Sequence, residues 1–340
     1  MKTHPTFVAL ALLLSVAAPK LTLAGPVTGP EAEQQKRVVE QLARSVAEEK
    51  TDEGRFVLIR GVMTAESAVM VRRKVLEVAT GFPGPKLDEF LARVLAMDED
   101  AGVRSEAATA LGKVGSEKQL AALADAAKND RTTSILIGDV GGQSSARRAA
   151  TFAIAELAAR FPNLADDAAK KLRALPVKDD PKDREGLADA SLQALYQITL
   201  DESLLRPFYE RLKSKEAKDR VNGVVAFQYL KLKTAPPEIV AVLKDPSPEV
   251  RSWAALVLGR IGDPKTAEAL MAAAGDAKEG NSVRCNAVLS LGQMKTAAAA
   301  DLMEKLLSDP QPSVQSNAAI ALYRITGKKV KQFPVGYKAD

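Results

Sequence analysis

The 340-residue sequence is poor in the side chains on which much enzyme chemistry depends: one His, one Cys, one Trp and 4% aromatic residues. A single Cys excludes an intramolecular disulfide and any metal site built from several thiolates. A single His excludes His-pair metal sites. That residue is His4, within an N-terminal stretch read below as an export signal, so the remainder has no imidazole at all. Catalytic triads that use His, a Cys–His pair, a His-Glu-x-x-His zinc motif and His ligation of haem are thereby excluded. Scarce aromatics beside 46% hydrophobic residues mean an aliphatic core, which favours packed helices over a β-sandwich. The excess of 48 Lys and Arg over 43 Asp and Glu is too small to imply a nucleic-acid partner. Length allows one large or two ordinary domains with a substantial core.

What is present begins with an address. Lys2 is followed by the uncharged run Phe7 to Ala18, and Thr22-Leu23-Ala24 places small residues at −3 and −1 before Gly25. This order predicts a secretory signal peptide over residues 1–24, cleaved between Ala24 and Gly25. The run is too short for a membrane anchor, which needs about 20 apolar residues. No transmembrane segment is expected after cleavage, and the mature protein is expected to be exported, periplasmic or secreted.

Beyond the signal the chain is repetitive. Val250-Arg-Ser-Trp-Ala-Ala-Leu-Val-Leu-Gly-Arg-Ile261 aligns with Val283-Arg-Cys-Asn-Ala-Val-Leu-Ser-Leu-Gly-Gln-Met294. Copies starting at Val103 and Val314 match both, and weaker ones start at Ala146, Leu187, Asp219 and Val71. Most steps are 31–33 residues; the steps of 43 and 41 imply insertions. Counting the start as zero, positions 4 and 7 are small (Ala107 and Ala110, Ala254 and Val257, Ala318 and Ala321). Positions 8 and 11 are large (Leu111 and Val114, Leu258 and Ile261, Leu322 and Ile325). These spacings put all four on one helical face, small residues allowing close approach and large ones filling the space between helices. Each copy is followed by a second amphipathic helix, such as 117–128, 266–274 or 297–307. Asp245-Pro-Ser-Pro and Asp309-Pro-Gln-Pro precede first helices, with Asp expected as cap and Pro in the first turn. Helix pairs that cannot bury their faces alone predict an all-α fold, an α-solenoid.

Asp245-Pro-Ser-Pro-Glu-Val-Arg251, Ala254-Ala255, Leu258-Gly259 and Ile261-Gly262 resemble the HEAT-like repeats first associated with phycobilisome lyases. The resemblance runs from about 71 to 326 and implies architecture rather than activity. It gives residues 25–70 as N-terminal capping helices and 71–326 as the repeat array, with a loop insertion near 129–145. Because the last copy has no following partner helix, residues 327–340 are read as a tail whose Phe333, Val335 and Tyr337 are expected to lie over the open end of the core. Deoxyhypusine hydroxylase is similar in repeat architecture but builds a di-iron site from His-Glu pairs, which this sequence lacks. Bilin lyases act on cytoplasmic subunits that an exported protein does not meet.

No catalytic, cofactor-binding or metal-binding residue is therefore assigned, and no cofactor is expected. Cys285 stands beside Arg284 but falls in a column otherwise holding Ser105 and Ser252, so it reads as a small helix-flank residue. Gly138 to Ser145 resembles a phosphate cradle, yet it lacks the P-loop Lys and no preceding strand is predicted, leaving a loop capped by Ser144 or Ser145. Asp98-Glu99-Asp100 fails the calcium-loop pattern. Arg104, Arg147, Arg220, Arg251 and Arg284 follow their repeat starts. Asp98 and Asp245, six residues before their Arg, are placed to pair neighbouring repeats. Trp253 occupies a column of mostly polar or small residues, so it either packs on an adjoining repeat or anchors a partner. Trp253, Arg251 and Arg284 are the candidate partner-binding residues. The sequence thus points to an exported, non-enzymatic scaffold binding a protein or peptide, with no nucleic acid expected. The alternative is an enzyme or enzyme subunit of the bilin-lyase or hydroxylase type.

Overall fold

The computed structural model describes residues 29–65, 68–130, 135–137, 142–175, 186–331 and 333–334. The segment expected to be a signal peptide, the Ala24–Gly25 junction, Val335 and Tyr337 lie outside them. The chain divides into two compact units, up to Leu200 and from Asp201, inside what the sequence reads as one array.

In the first unit the helices are α1 (Pro30–Glu48), α2 (Asp52–Ala65), α3 (Val69–Ala79), α4 (Pro85–Met97), α5 (Ala101–Val114) and α6 (Leu120–Asn129). After two short strands come α7 (Ala146–Arg160), α8 (Ala165–Arg173) and α9 (Leu187–Thr199). Helices α1, α3, α5, α7 and α9 pack successively in one row, and α2, α4, α6 and α8 in a second. The helices before Val69 therefore stack in the same two rows as the repeats that follow. The second unit contains α10 (Arg206–Leu212), α11 (Ala217–Ala226), α12 (Pro237–Ala241), α13 (Pro248–Ile261), α14 (Ala267–Gly275), α15 (Asn281–Gln293), α16 (Ala300–Leu306) and α17 (Pro312–Thr326). Here α11, α13, α15 and α17 form the row of first helices, and α14 packs on both α15 and α16. Every repeat start falls in or beside the first turn of a first helix, and the fold is the α-solenoid class of helix pairs. Among the described residues no helix is long and apolar enough to cross a membrane.

The core lies between the two rows. Positions 4, 7 and 8 of the seven copies from Val103 onward are all buried, from Ala107, Ala110 and Leu111 to Ala318, Ala321 and Leu322. Position 11 differs: Leu157 and Leu230 are buried, but Val114, Ile198, Ile261, Met294 and Ile325 are half-buried. It falls on or near the last turn, where the neighbouring row no longer covers it.

One further column sets the spacing of the first helices. A Cβ added to Gly112, Gly259 or Gly292 lands 2.9, 2.8 or 2.7 Å from the Cα of Ala153, Ser290 or Ala321. Each glycine is position 9 of its repeat, and each contact is position 7 of the next. Backbones touch there, and only a hydrogen fits on one side.

The Asp-Pro turns depart from their expected role. The residues preceding α13 and α17 are Ser247 and Gln311, and neither gives a side-chain cap. Asp245 and Asp309 instead accept from the backbone N–H groups of Ser247 (2.8 Å) and Gln311 (3.0 Å). Two residues before the helix, each carboxylate bends the turn and remains within reach of an arginine in the preceding repeat. Pro248 and Pro312 do occupy first-turn positions, where a missing N–H costs nothing. At the carboxyl end Phe333 stacks edge-on against Tyr323 with centroids 5.2 Å apart, and Lys329 lies over both rings.

Alanine at Gly259 gains about 0.5–1 kcal/mol of helix propensity but overpacks a backbone contact, at about 1–3 kcal/mol. Steric cost wins. Gly259→Ala is expected to lower the unfolding free energy in urea, whereas Gly61→Ala, which meets nothing within 4 Å inside α2, is expected to leave it unchanged or raise it.

Candidate interaction surface

The arginines after the repeat starts Val103, Asp219, Val250 and Val283 are each held by two kinds of acceptor, a carboxylate and a backbone carbonyl. Arg104 makes a bidentate pair with Asp130 (2.7 and 2.9 Å), while its third nitrogen donates to the carbonyls of Asp98 (2.8 Å) and Glu99 (3.0 Å). The carboxylate of Asp98 belongs to Arg72 of the preceding repeat, at 3.1 Å. The second unit repeats this arrangement. Arg220 grips the Asp245 carboxylate (2.7 and 2.9 Å), and Arg251 takes the Asp245 carbonyl (2.6 Å). Arg251 then grips Glu279 (2.6 and 2.7 Å), and Arg284 pairs with Asp309. Gln315, in the arginine column of the last copy, donates to the Asp309 carbonyl at 2.5 Å. Asp98, Asp245 and Asp309 therefore each join two repeats, the side chain facing back and the carbonyl facing forward.

Pairing between neighbouring repeats is thus as the spacing implies, but the residue six places before an arginine accepts that arginine's hydrogen bond at its carbonyl, while its carboxylate is taken by the arginine of the preceding repeat. Planar guanidinium geometry permits both contacts at once. Burial makes the ladder structural: Arg104 and Arg284 are 1% and 3% exposed. Arg284, a candidate partner contact, is spent on Asp309 and the Ala274 carbonyl (3.1 Å), and Arg251 is spent on Glu279. Arg147 donates to the Ala127 carbonyl at 3.2 Å. The Arg251 hydrogen bonds hold the Glu279 carboxyl below the usual range, and those of Arg284 and the Gln311 N–H do so for Asp309. Burial pushes Asp245 up, but Arg220, the Ser247 N–H and Arg251 outweigh it and leave it lowered. Arg251 itself is raised by Glu279 against desolvation.

Trp253 is half-buried on α13 and forms part of an open groove of about 510 Å³ in the second unit. The groove crosses α13, α15 and α17, and Leu256, Leu289, Cys285, Asn286 and Asn317 also line it. Asn286 ties two of these helices by donating to the Ser252 carbonyl (3.1 Å) and hydroxyl (2.9 Å). Of the three candidate partner residues, only Trp253 has its side chain in this groove. Cys285 is half-buried beside Asn286, in keeping with its serine column. Among the described residues no group of three or more His, Cys, Asp or Glu could hold a metal ion.

The described residues of the insertion include two short strands. Strands β1 (Ile135–Ile137) and β2 (Gly142–Ser144) pair antiparallel, Ile135 opposite Ser144. A strand does precede the glycines, but a second strand follows them where a phosphate cradle needs a helix N-terminus. Ser145 caps α7 by accepting from the Arg148 N–H at 3.0 Å. In the acidic run Asp100 caps α5 through the Val103 N–H at 3.0 Å, and Asp98 serves the ladder. Sequence reading missed two ties. Asp88 accepts from the Ser116 N–H (2.9 Å), its hydroxyl (2.6 Å) and Gln119 (2.9 Å). Arg160 donates to the Gly112 (3.1 Å) and Gly115 (2.8 Å) carbonyls at the end of α5, where a cation suits the helix dipole. Neither recurs at the repeat period, so neither leaves a column to find.

Two rows of helices, glycine contacts within one row and an arginine ladder along it define an α-solenoid repeat protein. The profile for HEAT repeats matches residues 58–136, 205–281 and 278–333, more than half of the chain, which belongs to the HEAT-repeat family. Similar solved structures include human deoxyhypusine hydroxylase, at 16% identity over 88% of this chain and 100% of that one, with TM-score 0.34. The complex of CpcE and CpcF of phycocyanin lyase from Nostoc sp. is similar at 21% identity, over 73% and 92% of the two chains, with TM-score 0.39. Importin beta is similar at 14% identity over 86% of this chain and 41% of that one, with TM-score 0.41. No curated protein matches the sequence.

Removing one partner of a buried ion pair strands the other. Arg104→Met leaves Asp130, 5% exposed, without its guanidinium, and a loss of about 3–5 kcal/mol is expected by urea denaturation. Lys36→Ala, from an exposed pair on α1, is expected to change stability by no more than about 0.5 kcal/mol.

Asp245, Glu279 and Asp309 all titrate lower folded than unfolded. Their pairing therefore stabilises the fold above the ordinary carboxylate range, about pH 4, and that contribution is lost as pH falls through the lowered folded values. The melting temperature is expected to be level near neutrality and to fall below about pH 4. Asp309→Asn is expected to melt lower at pH 7 and to lose less on acidification.

Proposed function

We propose that this HEAT-repeat chain is an exported, non-enzymatic scaffold that binds a protein or peptide partner. The observation carrying the reading is the groove around Trp253. The recurrent arginines and carboxylates are turned on one another, but the chain's only tryptophan is left half-buried beside an open space on the first-helix row. An amphipathic ring held that way gives a partner a large apolar contact at little entropic cost. Export rests on Lys2, the apolar run and Thr22-Leu23-Ala24. In this reading, Arg251 and Arg284 support the groove by fixing α13 and α15 and do not touch the partner themselves.

A tagged full-length chain expressed in its host, fractionated and chemically cross-linked, tests both halves. The recovered protein is expected outside the cytoplasm with Gly25 at its N-terminus. A specific partner is expected to be captured by the wild type and lost with Trp253→Asn at unchanged melting temperature. Retention of Met1 in the cytoplasm overturns the export half, and undiminished capture by the variant overturns the binding half. A chromophore or metal that copurifies with the mature chain favours the enzyme alternative.

A further inference from the structure

Charge is unevenly distributed in the second unit. After Leu200 the chain has 21 Lys and Arg against 16 Asp and Glu, whereas up to Leu200 it has 27 of each. The excess lies on one edge. Position 9 of α13 meets position 7 of α15, and position 9 of α15 meets position 7 of α17, so these first helices run parallel and end together. Asp245, gripped by Arg220 and Arg251 near the starts of α11 and α13, brings α11 into the same direction. The connectors that leave these helices (227–236, 262–266 and 294–299) and the chain from 327 to 331 hold seven cations and one carboxylate. That carboxylate, Asp263, is buried and accepts from the N–H groups of Ala235 (2.9 Å) and Lys265 (3.0 Å).

The opposite edge is mixed. Connectors that enter the first helices (213–216, 242–247, 276–280 and 307–311) hold four cations and five carboxylates. In the first unit the connectors leaving α1, α3, α5 and α7 hold two of each. On the cationic edge Lys233, Arg260, Lys265, Lys295 and Lys328 are exposed and make no ion pair among the described residues. Like charges gathered without countercharge raise the local potential for an anion. Glu238, Glu268 and Asp301 stand just beyond, in the first turns of α12, α14 and α16, where a carboxylate suits the helix dipole. A broad anionic surface laid on this edge meets those carboxylates as well, whereas a narrow acidic chain can follow the connectors alone.

The edge is continuous with the groove. Trp253, Leu256 and Arg260 occupy positions 3, 6 and 10 of α13, which lie on one helical face. The ten residues lining the groove carry no charge, and the first free cation stands one turn beyond Leu256. We infer that the cationic edge binds an acidic segment of the partner, rich in Asp or Glu, which continues from the Trp253 groove along the connectors of the second unit. The inference rests on the partner-binding reading and specifies the partner's charge.

The full chain is titrated into an end-blocked, fluorescein-labelled deca-glutamate peptide and followed by anisotropy, beside a Gly-Ser peptide of equal length. Deca-glutamate is expected to bind saturably and the neutral peptide not to bind. Affinity is expected to fall as salt rises from about 0.1 to about 1 M, over which the screening length shortens from about 10 to about 3 Å. Lys233→Gln, Arg260→Gln, Lys295→Gln and Lys328→Gln combined are expected to weaken binding about tenfold or more. Lys213→Gln, Lys215→Gln, Lys244→Gln and Lys278→Gln combined remove the same charge from the opposite edge and are expected to weaken it less than about twofold. Both sets are expected to melt with the wild type. No saturable binding of deca-glutamate, or an equal loss in the two variants, overturns the proposal. Cosedimentation with phosphatidylglycerol vesicles in the absence of peptide binding overturns it in favour of a lipid surface. If Trp253-dependent capture of a partner persists beside any of these results, the acidic assignment fails and the scaffold reading stands.

Discussion

The arrangement of first helices depends on contact between backbones. Where Gly259 meets Ser290 and Gly292 meets Ala321, the helices approach until no further atom can enter. That distance sets how far one repeat is displaced from the next, and so whether an arginine of one repeat can reach an acidic turn in its neighbour. It also explains why position 8 is large in every copy from Val103 onward while position 4 is small. Small residues at 4 and 7 provide the approach, and leucine, isoleucine or phenylalanine at 8 fill the space between rows. The low aromatic content follows from this packing.

The arginine ladder works within that spacing. A guanidinium has enough donors to bind a carboxylate and a carbonyl together, and Arg104, Arg220 and Arg251 do both. A lysine has three donors on a point charge and cannot match the planar fork. Using both ends of one acidic residue makes a chain of contacts in which each repeat is held on two sides. This gives a physical reason for an arginine column in a fold whose core is otherwise aliphatic. It also separates Arg251 and Arg284 from Trp253, although all three occupy one short stretch of each repeat.

Much of this was legible because it recurs. Columns at positions 4, 7 and 8 reveal the buried face, and the arginine and acidic spacings reveal that neighbours are linked. The direction of the link was not legible: Asp245 could serve Arg220, 25 residues before it, or Arg251, six after it, and only the turn decides which receives the carboxylate. Position 11 looked as apolar as position 8, yet the helix end exposes it. Arg160 and Asp88 act once each, so no column marks them. The uncharged groove was hidden for a different reason. Its members are spread over three helices and read individually as unremarkable asparagine, serine and leucine, with only Trp253 out of place in its column.

The hairpin between α6 and α7 sits on a base secured from both sides. Asp130 is clamped by Arg104 before it, and Ser145 and Arg147 are fastened to α7 and to the Ala127 carbonyl after it. The two ends are thus held by the helices on either side. Lengthening such a segment has an entropic cost that grows only logarithmically, about 0.6 kcal/mol per doubling. A change in the length of this segment therefore costs the fold little, because Asp130 and Ser145 at its two ends are held by the helices themselves.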